Sequence, residues 1–283
     1  MKDILIAVLT LSSLGIIFAF ILGYASRVFD IKIDPIVEEV RSVLPGANCG
    51  ACGFPGCDGF ANALVFNNAS VNACPVGGQT LSKELSRILG KEAGKFERNV
   101  AVVLCQGSCS VAKNKYIYEG VSDCRVAALF QKGEKSCTYG CLGCGTCKEV
   151  CNYNAIEMRD GVAHIIKENC VACRKCIDIC PKGIIEMVPY EQKVFVKCKS
   201  IDSGKITKSS CSRGCIGCKI CARQYPEGFV IENNLAKYIN PEIVNEEALE
   251  NAIKKCPVKA ITSDNYKKET SWRSEERRVG KEC

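Results

Sequence analysis

Residues 141–181 contain CLGCGTCKEVC at 141 to 151 and, after a short interval, CVACRKCIDICP at 170 to 181. Each run is Cys-x2-Cys-x2-Cys-x3-Cys. Two such runs in succession predict a pair of [4Fe–4S] clusters, with the fourth cysteine of each run serving the cluster of the other. The crossed rule assigns one cluster to Cys141, Cys144, Cys147 and Cys180. It assigns a second to Cys151, Cys170, Cys173 and Cys176.

Two other chemistries use clustered cysteine. A structural zinc site joins two separated Cys-x2-Cys pairs, and a tetrahedral ion has no use for three closely spaced cysteines followed by a fourth. Disulfide frameworks belong to small secreted domains, and the steps of one tight loop do not suit several separate bridges. The spacing is that of bacterial ferredoxins, so residues 139–198 are expected to form a two-cluster ferredoxin-like domain.

The chain of 283 residues has room for two or three small domains, and its 23 cysteines dominate the composition. Cluster binding supplies folding energy, so such domains need less apolar core. The formal charge of +7 would suggest an anionic partner. Each oxidised cluster with four thiolates carries roughly −2, so four clusters offset it with about −8. No basic stripe interleaved with aromatics is present, and nucleic acid is set aside. The single histidine, His164, sits in the apolar run VAHII and reads as a strand residue.

Residues Ile4 to Tyr24 form an apolar run without charge, long enough to cross a hydrocarbon core of about 30 Å. Residues 1–28 are therefore expected to be a transmembrane anchor. A signal peptide fits less well: Lys2 stands beside Asp3, the run is too long, and no small-x-small cleavage site follows. Arg27, Lys32 and Arg41 after the span, against Lys2 before it, place the larger part in the cytoplasm. Reduced thiolate ligands require the same side.

Residues 32–92 read as a small helical one-cluster module. Asp34-Pro35 opens a helix that Pro45-Gly46 closes. Cys49, Cys52 and Cys57, with Cys74 before Pro75, suit a further four-thiolate cluster. Gly50, Gly53, Gly56 and Gly59 allow the backbone to wrap round it. Helices are expected between Asp58 and Asn67 and from Gln79 to Leu89, the latter ending at Gly90.

The runs ILGYASRVF, DPIVEEV and LPGANCGACGFPGCDGFANAL, with the later Cys-Pro, resemble the B subunit of the Rnf complex, and the likeness extends to about residue 265. The resemblance implies an iron–sulfur electron-transfer subunit of a membrane-bound, ion-translocating ferredoxin:NAD oxidoreductase. It would take electrons from soluble reduced ferredoxin and relay them to the membrane redox subunits of the same complex. The implied location is the inner (cytoplasmic) membrane, with the cluster domains on the cytoplasmic side. The alternative is the iron–sulfur subunit of another membrane-anchored dehydrogenase. No dinucleotide fingerprint or Walker loop is present, so the chain has no nucleotide site of its own.

Residues 98–138 form a cysteine-containing linker domain, with a strand at VAVVLC and a helix over Ser122 to Gln131. Spacing favours Cys105, Cys109, Cys124 and Cys137 as a fifth ligand set, over mixed sets that use Cys198 or Cys211 and over plain buried cysteines. Hairpins are expected from AIEM with VAHII and from IIEMVP with KVFVKC.

Residues 205–265 read as a halved ferredoxin. The run Cys215-x2-Cys218-x2-Cys221 is intact, but Tyr225 stands at the fourth position and no partner run follows. A helix capped by Asn240, with Pro241 at its first position, is expected instead. By the crossed rule Cys256, before Pro257, completes the surviving cluster with Cys215, Cys218 and Cys221. The family resemblance implies two clusters in this unit, and this chain departs from that. The segment 271–283, with Cys283, has no apolar periodicity and reads as a solvated or artefactual tail. The expected fold is α+β: a transmembrane helix, a small helical module, then tandem bacterial-ferredoxin-like domains carrying four clusters, with a fifth set left open.

Overall fold

The computed structural model describes residues 2–29, 34–94, 96–239 and 245–263. The tail and the expected cap at Asn240 lie outside them. Helix α1 (Lys2–Val28) spans 27 residues with a mean hydropathy of 2.7 in its most apolar window. Its large apolar side chains among the described residues, such as Ile4, Leu9, Phe18 and Tyr24, are exposed. At about 1.5 Å per residue this helix is long and apolar enough to cross a membrane.

The module that follows has three helices. Asp34 caps α2 (Pro35–Val43) by accepting from the Ile36 amide at 2.9 Å. Helices α3 (Gly56–Phe66) and α4 (Gly78–Leu89) pack on it, and Gly90, with a φ of 63°, ends α4. Val40, Phe60, Leu64 and Leu85 are almost fully buried between them. Gly50, Gly53 and Gly56 adopt positive φ in the cysteine loop, as expected. Gly59 does not: it lies inside α3, where a Cβ would press on the Pro55 ring at 3.0 Å.

The remainder holds strand β1 (Asn99–Val103), helices α5 (Cys124–Leu129) and α6 (Thr146–Glu149), strands β2 (Ile156–Arg159) and β3 (Val162–Ile165), helix α7 (Lys175–Asp178) and strand β4 (Ile185–Pro189). Then come strand β5 (Val194–Val196), helices α8 (Gly204–Ser210) and α9 (Ile220–Gln224), strands β6 (Phe229–Glu232) and β7 (Leu235–Tyr238), helix α10 (Glu246–Lys254) and strand β8 (Ile261–Ser263). Strands β2 and β3 form the expected antiparallel hairpin, with His164 in β3, and β6 with β7 forms another.

The expected hairpin of IIEMVP with KVFVKC does not form. Strand β4 pairs with β1, Val100 opposite Val188, and β5 pairs with β8, Phe195 opposite Thr262. β4 buries Ile185 and Val188 and β5 all three of its residues, and burial against distant partners outweighs the short connection between them. Strand pairing therefore divides the chain differently from the boundaries expected above. β1, in the supposed linker 98–138, completes the first unit, and β5, assigned to 139–198, completes the second. Residues of β5 sit in one core with Phe229, Leu249 and Ala252.

Helix α10 stands in the second unit where a further cysteine run was missing. Among the described residues its cap is Asn245, whose side chain accepts from the Ala248 amide at 3.1 Å. Tyr225, in the place of the lost cysteine, is 3 % exposed and meets Phe229 edge-on with ring centroids 6.3 Å apart. Apolar side chains thus fill this side of the unit.

Candidate metal centres

The three Cys-x2-Cys-x2-Cys loops share one backbone. In each, the residues on either side of the second cysteine are left-handed: Gly143 and Gly145, Ala172 and Arg174, Gly217 and Lys219, with φ between 59° and 85°. The last of each pair caps a short helix, α6, α7 or α9, which carries the third cysteine in its first turn. The chain thereby curls round a point and turns successive amides inward. Gly143 and Gly217 are needed for a second reason. A Cβ there would lie 2.8 Å from the Gly161 carbonyl and 2.7 Å from that of Asn234, at the tips of the two hairpins.

The first cysteine of each loop is also held alike. Cys170 accepts from the Ala101 amide of β1 at 3.4 Å and Cys215 from the Ala236 amide of β7 at 3.5 Å. Cys141 accepts from the Ala163 amide of β3. Strand pairing thus sets where each loop begins, which is how the sheet positions the site.

Cys151, Cys170, Cys173 and Cys176 surround one cavity of about 360 Å³, counting space open to solvent. Cys215, Cys218, Cys221 and Cys256 surround another of about 330 Å³. The structure therefore brings Cys256, which has no motif of its own, to the second unit's loop. Burial pushes the Cys147 thiol up to about 12, with nearby Cys141, Cys124 and Cys180 adding to the effect. Cys147 thus has Cys141 and Cys180 beside it, and Cys144 lies near Cys141. In the helical module, Cys74 accepts from the Gly77 amide at 3.4 Å, and its thiol is raised by burial, with Cys52 and Cys49 close by. The Cys57 amide donates to Asn48 Oδ1 at 2.8 Å, fixing the loop against α3.

The fifth expected set does not come together. Cys124 lies at the start of α5, its amide donating to Thr146 Oγ1 at 2.8 Å and its thiol hydrogen-bonded with Cys144. The Cys109 amide donates to the Asp160 carbonyl at 3.1 Å. Neither residue lines the cavity that holds Cys105 and Cys137, whose other two cysteines are Cys198 and Cys211. Even spacing along the chain misled here, because β1, β5 and α8 carry residues far apart in sequence to one place.

These sets fit an iron–sulfur cluster better than a single ion. Among the described residues no three Cys, His, Asp or Glu side chains are grouped so as to hold one metal ion. Thiols arrayed round a cavity and met by backbone amides are what a four-iron cube requires. Burial pushes Cys176 up to about 12 and Cys221 to about 11, so without iron these thiols stay protonated, and cluster binding must release protons.

Successive sets adjoin. Tyr153 lies near Cys173 and Cys151 of one set and near Cys49 and Cys74 of another. Cys176 adjoins Cys147. The Cys141 amide donates to the sulfur of Cys105 at 3.4 Å, and the Cys215 amide donates to that of Cys198. The order in space is the helical module, the second ferredoxin-type loop, the first, the Cys105 cavity, and the C-terminal unit.

Comparison with known families finds three matches. Residues 44–76 match a family described as "Putative Fe-S cluster", residues 140–184 a 4Fe-4S dicluster domain, and residues 212–263 a 4Fe-4S single cluster domain of Ferredoxin I. Among curated proteins, the chain is 42% identical to the B subunit of the Na(+)-translocating ferredoxin:NAD(+) oxidoreductase complex of Acetobacterium woodii, over 96% of this chain and 82% of that protein. It is 40% identical to the B subunit of the ion-translocating oxidoreductase complex of Methanosarcina acetivorans, over 92% and 99%. To the B subunit of the proton-translocating ferredoxin:NAD(+) oxidoreductase complex of Clostridium ljungdahlii it is 35% identical, over 92% and 93%.

Proposed function

The chain belongs to the B-subunit family of Rnf-type ion-translocating oxidoreductase complexes, and from that premise we propose that it takes electrons from reduced soluble ferredoxin and relays them to the membrane redox subunits of its complex. It is an iron–sulfur electron-transfer subunit, and α1 is the candidate for its membrane anchor. The observation that carries the proposal is the single file of cysteine sets from Cys49 to Cys256.

Clusters bound at these sets supply one-electron redox chemistry. The residues we assign are Cys49, Cys52, Cys57 and Cys74; Cys141, Cys144, Cys147 and Cys180; Cys151, Cys170, Cys173 and Cys176; and Cys215, Cys218, Cys221 and Cys256. The protein holds each set by amide-to-sulfur hydrogen bonds and buries it, which tunes the potential. Tyr153 lies near ligands of both the helical module and the first ferredoxin unit.

The module that follows α1 directly is the membrane-proximal end of the file, and the C-terminal unit is the end offered to a soluble donor. We read the two later units as tandem ferredoxin-like domains, the second keeping one cluster. Arg27, Lys32 and Arg41 after the span put these units on the cytoplasmic side. The test is anaerobic mixing of the detergent-solubilised full chain with chemically reduced ferredoxin. Stoichiometric reoxidation of ferredoxin, with bleaching of the chain's cluster absorbance, is expected. Reduction by dithionite but none by ferredoxin would defeat the donor assignment.

A further inference from the structure

We propose that Cys105, Cys137, Cys198 and Cys211 are the ligands of a further [4Fe–4S] cluster, seated between the two ferredoxin-type units. None of the three matched family regions includes all four of these residues. The proposal rests on the iron–sulfur reading of the chain.

The four thiols line one cavity of about 420 Å³, counting space open to solvent, comparable with the two motif-lined cavities described above. They arrive on separate elements. Cys105 follows β1, Cys137 precedes the first cysteine run, Cys198 follows β5, and Cys211 caps α8. The loop after Cys105 is stitched to the others: Ala112 bridges Cys211, Asn114 bridges Lys135, and the Lys113 amide donates to the Ser210 carbonyl at 2.9 Å. Gln106 reaches the second unit, its side-chain amide donating to the Lys259 carbonyl at 3.0 Å.

Each sulfur is treated as the motif cysteines are. Cys105 accepts from the Gly107 amide at 3.3 Å and Cys198 from the Ser200 amide at 3.5 Å. Cys137 accepts from Tyr139 and Gly140, and Cys211 from Arg213 and Gly214. The donor two residues on recurs at all four, as at Cys74, Cys141 and Cys173. A plain buried cysteine has no need of this pattern; a thiolate bound to iron does.

The cavity also carries a cation. Lys135 is 1 % exposed, and its ammonium donates to the carbonyls of Gly107 at 2.7 Å and Gly161 at 2.9 Å. Among the described residues no carboxylate pairs with it. A buried ammonium lacking a counter-charge is strongly unfavourable. Four thiolates round a [4Fe–4S]2+ core leave roughly −2, which supplies that charge. Binding forms four Fe–S(Cys) bonds and releases the four thiol protons.

Position adds a final argument. Cys105 adjoins Cys141 and Cys198 adjoins Cys215, so this cavity is the step between the intact unit and the halved one.

The test uses the full-length chain in detergent, purified anaerobically and reconstituted with iron and sulfide. Iron, acid-labile sulfide and zinc are counted, and the intact mass is measured under native conditions. About twenty irons per chain are expected, four for each of five sites. The Cys198→Ser/Cys211→Ser double variant is expected to lose about four irons and keep about sixteen, while Cys124→Ser keeps them all. About sixteen irons in the wild type, or one zinc that the double variant loses, overturns the proposal. So does loss of the same four irons from the Cys124→Ser variant. Absence of all iron would take the electron-carrier reading with it, whereas sixteen irons removes this site alone. Should the double variant lose all its iron through misfolding, the native mass of the wild type decides: the mass of five clusters supports the proposal, and that of four overturns it.

Discussion

The amide of Cys141 donates to the sulfur of Cys105 at 3.4 Å. One residue opens the first ferredoxin-type run and the other ends the approach from β1, so two ligand sets touch through a single peptide group. The buried ammonium of Lys135 lies near both Cys141 and Cys211. It is a buried positive charge at this junction, and its removal should be felt as a change of potential.

Replacing Lys135 with Met keeps much of the volume and removes the charge. The reduced state of a cluster carries one more negative charge than the oxidised state, so loss of a cation disfavours reduction. We expect one or two cluster potentials to fall by tens of millivolts, about the Coulomb energy of a pair at an effective dielectric near 20. Redox titration followed by EPR measures it; a rise in both potentials would contradict the argument.

Gly143→Ala and Gly217→Ala each force a Cβ to within 3 Å of a hairpin carbonyl and strain a left-handed backbone. Each should lower cluster occupancy by about four irons, a whole cluster. Ala172 occupies the equivalent place in the second loop, 170–176, at a φ of 59°. Ala172→Gly should therefore keep full iron content and relieve strain. Iron analysis of the three variants checks the set together.

Tyr225→Cys restores the run of a complete ferredoxin, yet no iron should be gained. Helix α10 and the Phe229 and Tyr238 rings occupy the region where a second cluster's ligands would stand. The variant should lose stability, and Tyr225→Ala more so, by about 3–5 kcal/mol for an emptied aromatic site. Denaturant unfolding of the holo-protein, followed by tyrosine fluorescence and cluster absorbance, reports the effect.

Asp123 caps α5, accepting from the Arg125 amide at 2.7 Å, and the Arg125 guanidinium beside it holds its carboxyl down at about 2. Asp123→Ala should destabilise α5 by removing its cap. Amide exchange would quicken in residues 124–129 and stay unchanged in α10. Equal quickening in both helices would show a global effect instead.

Much of the site was legible because it is local. The loops at 141–147, 170–176 and 215–221 are set by cysteine spacing and by the residues between, and the crossed rule named, without a fold, Cys151 and Cys256, which line the cavities of their expected partners, and Cys180, which lies near Cys147. Helices α2 and α4 announced themselves by Asp34-Pro35 and by Gly90. The hairpin drawn from IIEMVP and KVFVKC failed for a different reason. Each segment is a good strand, but alternation says that a strand is half-buried and not which distant strand buries it.

The cysteine runs, the apolar helix and the substitution of Tyr225 were determined by the sequence alone, since each depends on residues near one another in the chain. Cys198 and Cys211 belong with Cys105 and Cys137 only through tertiary structure. Antiparallel pairing of β1 with β4 and of β5 with β8 carries Cys105 and Cys198 to one cavity, while Cys124, nearer in sequence, is drawn away to Cys144 by the cap of its own helix. Ligand sets closed by short loops can be read from spacing; a set closed by strand pairing is decided where the strands bury their apolar faces.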